Sequence, residues 1–163
     1  MSAFEDLGLE PNYELDPLAL EQAKDIHLAS ASSDAEVEQV LTSFNTLKRA
    51  DLRAQLMLEL LGQPINLNNS IGDLSFLGQA LEFREVIEES ADLDELNANL
   101  LSARDWLSAL EDEFARELRR ADIAEAAQTA QKIAFMIKLI DDIKHEIDQD
   151  DDPDSIELDP NLF

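Results

Sequence analysis

Two long apolar stripes in the second half of the chain constrain its fold more than any other feature. The first runs through residues 93–118 and consists of Leu93, Leu96, Leu100, Ala103, Leu107, Leu110 and Phe114. The second runs through residues 123–147 and includes Ile123, Ala126, Ala130, Ile133, Ile137 and Ile140. Spacings of three and four residues place each set on one face of a helix, and that face must be buried against another element. The stripes therefore predict two long, packed helices.

A third, shorter helix is predicted over residues 74–90, just before these two. Short connections make consecutive helices antiparallel neighbours, so residues 74–147 predict an antiparallel three-helix bundle. The whole chain of 163 residues contains only 4 glycines and 5 prolines, the residues that most often interrupt helices. The predicted fold class is therefore all-α.

The first 63 residues predict a separate, smaller helical domain. Residues 1–16 are expected to be an irregular lead-in, and Asp16 followed by Pro17 is a favourable helix start. The next helix, capped by Ser33 or Asp34, would bury Val37, Val40, Leu41, Phe44 and Leu47. A helix over residues 50–61 would bury Leu52, Leu56 and Leu60. Proline, asparagine and glycine in residues 64–73 predict a linker, and the acidic run in residues 148–163 predicts a disordered tail.

The charge balance limits the possible partners. With 37 acidic and 12 basic residues, the formal net charge is −25. Such a chain repels phosphate backbones and anionic membranes, so nucleic acid and membranes are not expected as partners, whereas a basic or mixed-charge protein is. The alternative is that the acidity serves solubility alone. No apolar run approaches the ~18 residues that span a bilayer, the N-terminus is unlike a signal peptide, and cysteine is absent, so we expect a cytoplasmic protein.

Catalytic and metal sites are not predicted. The only histidines are His27 and His145, and neither accompanies a nucleophile motif. Asp142 and His145 supply one carboxylate-x-x-His spacing, but a di-metal bundle needs this spacing twice. The sequence also lacks a glycine-rich phosphate loop. We therefore expect no enzyme activity, no bound metal and no cofactor.

The predicted helix over residues 74–90 carries more apolar surface than packing requires. One stripe, which we expect to be buried, consists of Phe76, Ala80, Phe83 and Ile87. A second set, expected on nearly the opposite side, consists of Leu74, Leu77 and Leu81. Glu82, Glu85 and Glu89 flank this second set. An apolar patch rimmed by carboxylates predicts a docking surface for another protein. The alternative is that the second set packs on another helix of the same bundle.

Three groups of residues give the chain a resemblance to a known family. The N-terminal group is Phe4, Leu7-Gly8-Leu9, Tyr13, Leu15-Asp16 and Ala19-Leu20. The second is Thr46-Leu47-Lys48, Arg53-Ala54 and Leu58-Glu59-Leu60-Leu61-Gly62. The strongest is Phe76-Leu77, Leu81-Glu82, Arg84-Glu85 and Glu89. With this pattern the chain resembles the HscB-type J-protein co-chaperones of iron–sulfur cluster biogenesis, from about residue 4 to residue 147.

The resemblance implies a partner and a binding site. In that family the first helix of the C-terminal domain binds the scaffold protein on which the cluster is assembled. Carried over by position, the scaffold-binding set is Leu77, Leu81, Glu82, Glu85, Glu89 and Phe135. Gly78 stands where the family usually has a larger apolar residue, so we expect that contact to be lost. The family also implies a specialised Hsp70 as the partner that receives the scaffold.

The N-terminal domain departs from the family pattern. J-domains act on Hsp70 through a His-Pro-Asp tripeptide, which this sequence does not contain, and no basic residue lies between Lys24 and Lys48. We therefore predict a short, degenerate J-like domain, which presents the scaffold to Hsp70 only if another contact replaces the tripeptide. The predicted function is scaffold binding in iron–sulfur cluster biogenesis. The alternative is a non-enzymatic acidic helical adaptor or chaperone for a basic client.

Overall fold

A computed structural model describes residues 2–150 of the chain, and over this range it is helical without a strand. Its helices are α1 (Ala3–Asp6), α2 (Pro17–Ala29), α3 (Asp34–Lys48), α4 (Ala50–Leu60), α5 (Leu74–Glu88), α6 (Leu93–Arg119) and α7 (Ile123–Asp150). The all-α prediction is confirmed. The Asp16 side chain caps α2 and the Ser33 side chain caps α3, because each accepts a hydrogen bond from a backbone N–H of the first turn.

Helices α5, α6 and α7 form the predicted three-helix bundle. Helix α6 runs antiparallel to α5, since the Trp106 ring packs on Phe76 and Phe83 while Asn99 Nδ2 donates to Ser90 Oγ at the other end. Helix α7 in turn runs back along α6 and parallel to α5. Both predicted stripes contribute to the core. Their buried members are Leu96, Ala103, Leu110, Phe114, Ala126, Ala130, Ile133 and Ile140.

The N-terminal helices enclose a second, smaller core. Its buried members are Phe4, Leu7, Leu20, Ala23, Val40, Phe44 and Leu47. The prediction of an irregular lead-in over residues 1–16 is partly wrong, because Ser2 and Glu5 form a capping box that starts α1 and turns Phe4 into this core. Leu41, predicted to be buried, is exposed. It lies one residue past the buried Val40, on the side of α3 that turns towards solvent.

Helix α4 buries a different line of side chains from the predicted one. Its buried apolar residues are Ala50, Ala54 and Leu58, whereas Leu60 is 46% exposed. Leu52 and Leu56 are only partly buried. The physical reason is that α4 packs closely on α7, and two small alanines one turn apart permit a closer approach than leucines would. The buried line of α4 thereby joins the core of the bundle.

A polar network ties the N-terminal segment to the bundle, and we call Tyr13, Arg53 and Glu111 the junction network. Arg53 donates to the carbonyl oxygens of Tyr13 and Leu47, each at 2.7 Å, and to Glu111 Oε1 at 3.1 Å. The Tyr13 hydroxyl donates to the same Glu111 oxygen at 3.0 Å. Burial raises the pKa of Tyr13, so its phenol remains a hydrogen-bond donor at neutral pH.

Residues 64–73 pack on the molecule as they cross from α4 to α5. Ile65, Leu67 and Ile71 contact the bundle core, and Gln55 Nε2 donates to the Ile65 carbonyl oxygen at 3.0 Å. The predicted division into a domain over residues 1–63, a linker over 64–73 and a bundle over 74–147 stays a prediction. Helix α7 continues to Asp150, beyond the expected end near residue 147, and the rest of the predicted disordered tail lies outside the described residues.

Candidate partner-binding surface

Two polar contacts hold α5 against α7. At the start of α5, the Asp73 side chain accepts from the Phe76 backbone N–H at 3.1 Å and from Lys132 Nζ at 2.8 Å. The hydrogen bond from Lys132 holds the pKa of the Asp73 carboxyl below its usual range, so Asp73 remains a carboxylate cap. The first half of α7 is thus fastened to the start of α5 at Lys132. Further along, Arg84 Nη1 pairs with Asp142 Oδ2 at 3.1 Å.

The second apolar set of α5 is largely uncovered. Leu74 is 77% exposed and Leu81 is 47% exposed, whereas Leu77 is partly buried. The alternative that this set packs fully inside the bundle is therefore wrong for Leu74 and Leu81. The expected position on nearly the opposite side of the helix agrees with the exposure of Leu74 and Leu81. At roughly 100° per residue, Leu74 and Leu81 lie about 160° and 140° around the helix from the buried Phe76, whereas Leu77 lies about 100° away and is nearer the core stripe.

The three glutamates occupy the side of α5 that faces away from the core. Glu82, Glu85 and Glu89 are all exposed, and none forms a salt bridge with another residue of the 2–150 range. Their carboxylates thus form an acidic rim along one flank of the leucines. A basic side chain of a partner could therefore pair with these carboxylates without displacing a salt bridge of the described residues.

Phe135 reaches this part of the surface from α7. Its ring meets the Phe76 ring edge-on, with centroids 6.1 Å apart, and the Arg84 guanidinium lies 5.9 Å from its centroid. Arg84 shares a helix edge with Leu77 and Leu81, because the three are spaced by four and three residues. Phe135 therefore borders the leucine edge of α5. We call Leu77, Leu81, Phe135 and the rim of Glu82, Glu85 and Glu89 the docking surface.

Sequence reasoning missed Arg84, which borders the docking surface. The Arg84 guanidinium lies over the Phe135 ring and pairs with Asp142, so this side chain of α5 contacts two residues of α7. The available signal was its spacing of seven residues from Leu77, which places it on the same helix edge. The identity of its aromatic partner on a distant helix was not readable from that spacing.

The α2–α3 end of the molecule is acidic. The connection between these helices spans residues 30–33, and Asp25, Asp34, Glu36 and Glu38 around it are exposed. Lys24 pairs with Glu21 at 2.9 Å and lies 4.7 Å from the centre of the Phe44 ring. His27 lies in the last turn of α2, where its Nδ1 contacts the Ala23 carbonyl oxygen at 2.9 Å. The His27 ring also lies beside Gly8.

Within the part of the chain that the structure describes, no group of three or more acidic or histidine side chains is arranged to hold a metal ion. His145 contacts Gln149 Nε2 at 2.9 Å. None of the helices in the same range is both long and apolar enough to cross a membrane.

Comparison with known proteins places this chain in a family. Residues 72–144 match the family model described as the HSCB C-terminal oligomerisation domain. The co-chaperone protein HscB homolog of Acinetobacter baumannii is 36% identical over 157 residues, covering 96% of this chain and 86% of the relative. The chain belongs to the HscB co-chaperone family. The matched range of the HscB model contains every residue of the docking surface.

Solved HscB structures share the architecture. The structure of the chaperone HscB from Vibrio cholerae matches with a TM-score of 0.73 and 25% identity, covering 91% of this chain and 99% of that one. The human co-chaperone HscB matches with a TM-score of 0.77, covering 90% of this chain and 82% of that one. Its identity is 17%, so this second likeness concerns the fold alone.

Proposed function

We propose that this HscB-family co-chaperone of iron–sulfur cluster assembly binds the cluster scaffold protein through its docking surface. The observation that carries the proposal is the uncovered leucine edge of α5, which lies near Phe135 and is flanked by exposed glutamates. An exposed apolar patch with a polar rim is a common mark of a protein–protein interaction site. The family resemblance names that partner as the scaffold.

The parts of the docking surface serve different purposes in binding. Leu77, Leu81 and Phe135 supply the apolar centre, whose burial would contribute about 25 cal/mol per Å² before the costs of association. Glu82, Glu85 and Glu89 lie at the rim, where charges speed association and select orientation more than they add affinity. The complementary surface on the scaffold is therefore apolar at its centre and basic on one side.

Calorimetric titration of the full chain with the purified scaffold protein tests this function. We expect saturable binding whose affinity falls as salt rises, because ions screen the exposed glutamates. Absence of binding would contradict the scaffold proposal and leave the acidic adaptor for a basic client as the alternative.

Presentation of the scaffold to a specialised Hsp70 is the second half of the proposal, and it requires a non-standard contact. The tripeptide that acts on Hsp70 in J-domains is absent, and the α2–α3 end exposes carboxylates, which an acidic Hsp70 surface would repel. We expect this chain to leave the steady-state ATPase rate of the Hsp70 close to its basal value. Stimulation comparable to that by a J-protein with an intact tripeptide would show that the electrostatic argument is wrong.

A further inference from the structure

A groove lies next to the docking surface, between α4, residues 66–71 and α7. Its volume is about 560 Å³, and its floor includes the partly buried side chains of Leu52, Leu67 and Phe135. The function proposed above leaves this groove without an occupant.

The groove and the docking surface share one side chain. Phe135 contacts Phe76 and Arg84 of α5, and it also lines the groove. A partner that covers the leucine edge of α5 and Phe135 therefore also contacts a residue that lines the groove. Continuity of this kind makes the scaffold itself the nearest candidate occupant.

The charges of the groove differ from those of the α5 rim. Arg49 and Asp51 form a two-bond pair at 3.1 and 2.9 Å, so each neutralises the other. Lys138 and Asp141 also line the groove, which balances its formal charge in a chain of net charge −25. Lys138 is exposed and forms no salt bridge with any residue between 2 and 150. It is thus available to a carboxylate on a partner.

Side-chain amides line the same groove. Those of Asn69 and Gln131 form no hydrogen bond within the described residues, so both keep donors and acceptors for an incoming chain. Amide groups match the alternating N–H and C=O groups of an extended polypeptide.

We propose that the groove binds an extended segment of the scaffold protein, an inference that rests on the function proposed above. An apolar side chain of the segment packs on Leu52, Leu67 and Phe135, its peptide groups bond to Asn69 and Gln131, and a carboxylate pairs with Lys138. The scaffold must then present a basic surface to the acidic rim of α5 and an acidic residue to Lys138 in the groove. This asymmetry permits only one orientation of the scaffold.

Two variants of α7 test the proposal by calorimetry with the purified scaffold. Lys138→Glu is expected to lower the affinity about fivefold, because an exposed ion pair is replaced by repulsion. Lys144→Glu is the matched control and should stay within about twofold. It makes the same substitution on the same helix, but six residues at roughly 100° each place it on another side. Gln131→Trp should also lower the affinity, because an indole fills the groove.

The outcomes separate the groove from the function on which it rests. If Lys138→Glu and Gln131→Trp bind like the wild type while Leu77 and Leu81 remain necessary, the groove proposal is wrong and the docking surface stands. If the wild-type chain does not bind the scaffold, both proposals fail. A change in self-association by Lys138→Glu, with scaffold affinity unchanged, would assign the groove to a second copy of this chain and overturn the proposal.

Discussion

Replacing Leu77 and Leu81 together by alanine is expected to weaken scaffold binding by about 100-fold or more. A buried methylene group contributes about 0.8 kcal/mol, so truncating each leucine to alanine removes up to about 2 kcal/mol, and about 1.4 kcal/mol corresponds to a factor of ten. The fold should tolerate the change, since Leu81 is exposed and Leu77 only partly buried. Titration calorimetry measures the affinity, and circular dichroism checks the helix content.

A matched control replaces two exposed leucines elsewhere on the protein by alanine. Leu18 on α2 and Leu101 on α6 are exposed leucines outside the docking surface, so Leu18→Ala with Leu101→Ala should leave the affinity within about twofold. An equal loss in both double variants would point to a general effect of surface hydrophobicity. Undiminished binding by the Leu77 and Leu81 variant would show that the scaffold binds a different surface.

Replacing Arg53 by alanine is expected to lower the free energy of unfolding by about 2–4 kcal/mol, because hydrogen bonds from a charged, largely buried side chain to three acceptors are lost. The Arg53 side chain is only 12% exposed, and its loss would leave the carbonyl oxygens of Tyr13 and Leu47 without these donors. Glu111 would also lose its cationic partner in the junction network. Urea denaturation followed by circular dichroism measures the change.

Arg104→Ala is the control for the arginine substitution. Arg104 is exposed on α6 and forms no salt bridge with a described residue, so its removal should change the free energy by less than about 0.5 kcal/mol. If Arg53→Ala unfolded at the same urea concentration as Arg104→Ala, the junction network would contribute little to stability. In that case apolar packing of Tyr13 on Phe114 would be the main link between the N-terminal segment and the bundle.

Features set by neighbouring residues were predictable from the sequence. The starts of α6 at Leu93 and α7 at Ile123 agree with the predicted stripes, and Asp16 and Ser33 act as the caps that their positions indicated. Helical period and capping depend on residues three or four positions apart, so a linear pattern contains them. The acidic rim of α5 was readable for the same reason.

Features that depend on a distant neighbour were not predictable in this way. Helix α4 was expected to bury its leucines, but contact with α7 favours Ala50 and Ala54, which allow closer packing. The second apolar set of α5 was placed nearly opposite the core, but its spacing did not show that Leu77 would be partly buried while Leu74 and Leu81 stay exposed. Its partners Phe135 and Arg84 meet only because α7 returns alongside α5.

By itself, the sequence determined the all-α class, the course of the long helices and the family resemblance, because these follow from local periodicity and from motifs. The position of Phe135 in the docking surface entered only through that resemblance. Tertiary structure alone decided how Arg84 joins Phe135 to α5, how Arg53 links Tyr13 to Glu111, and where a groove opens beside Phe135. Each of these joins residues far apart in the chain, and the packing of whole helices against one another sets such distances.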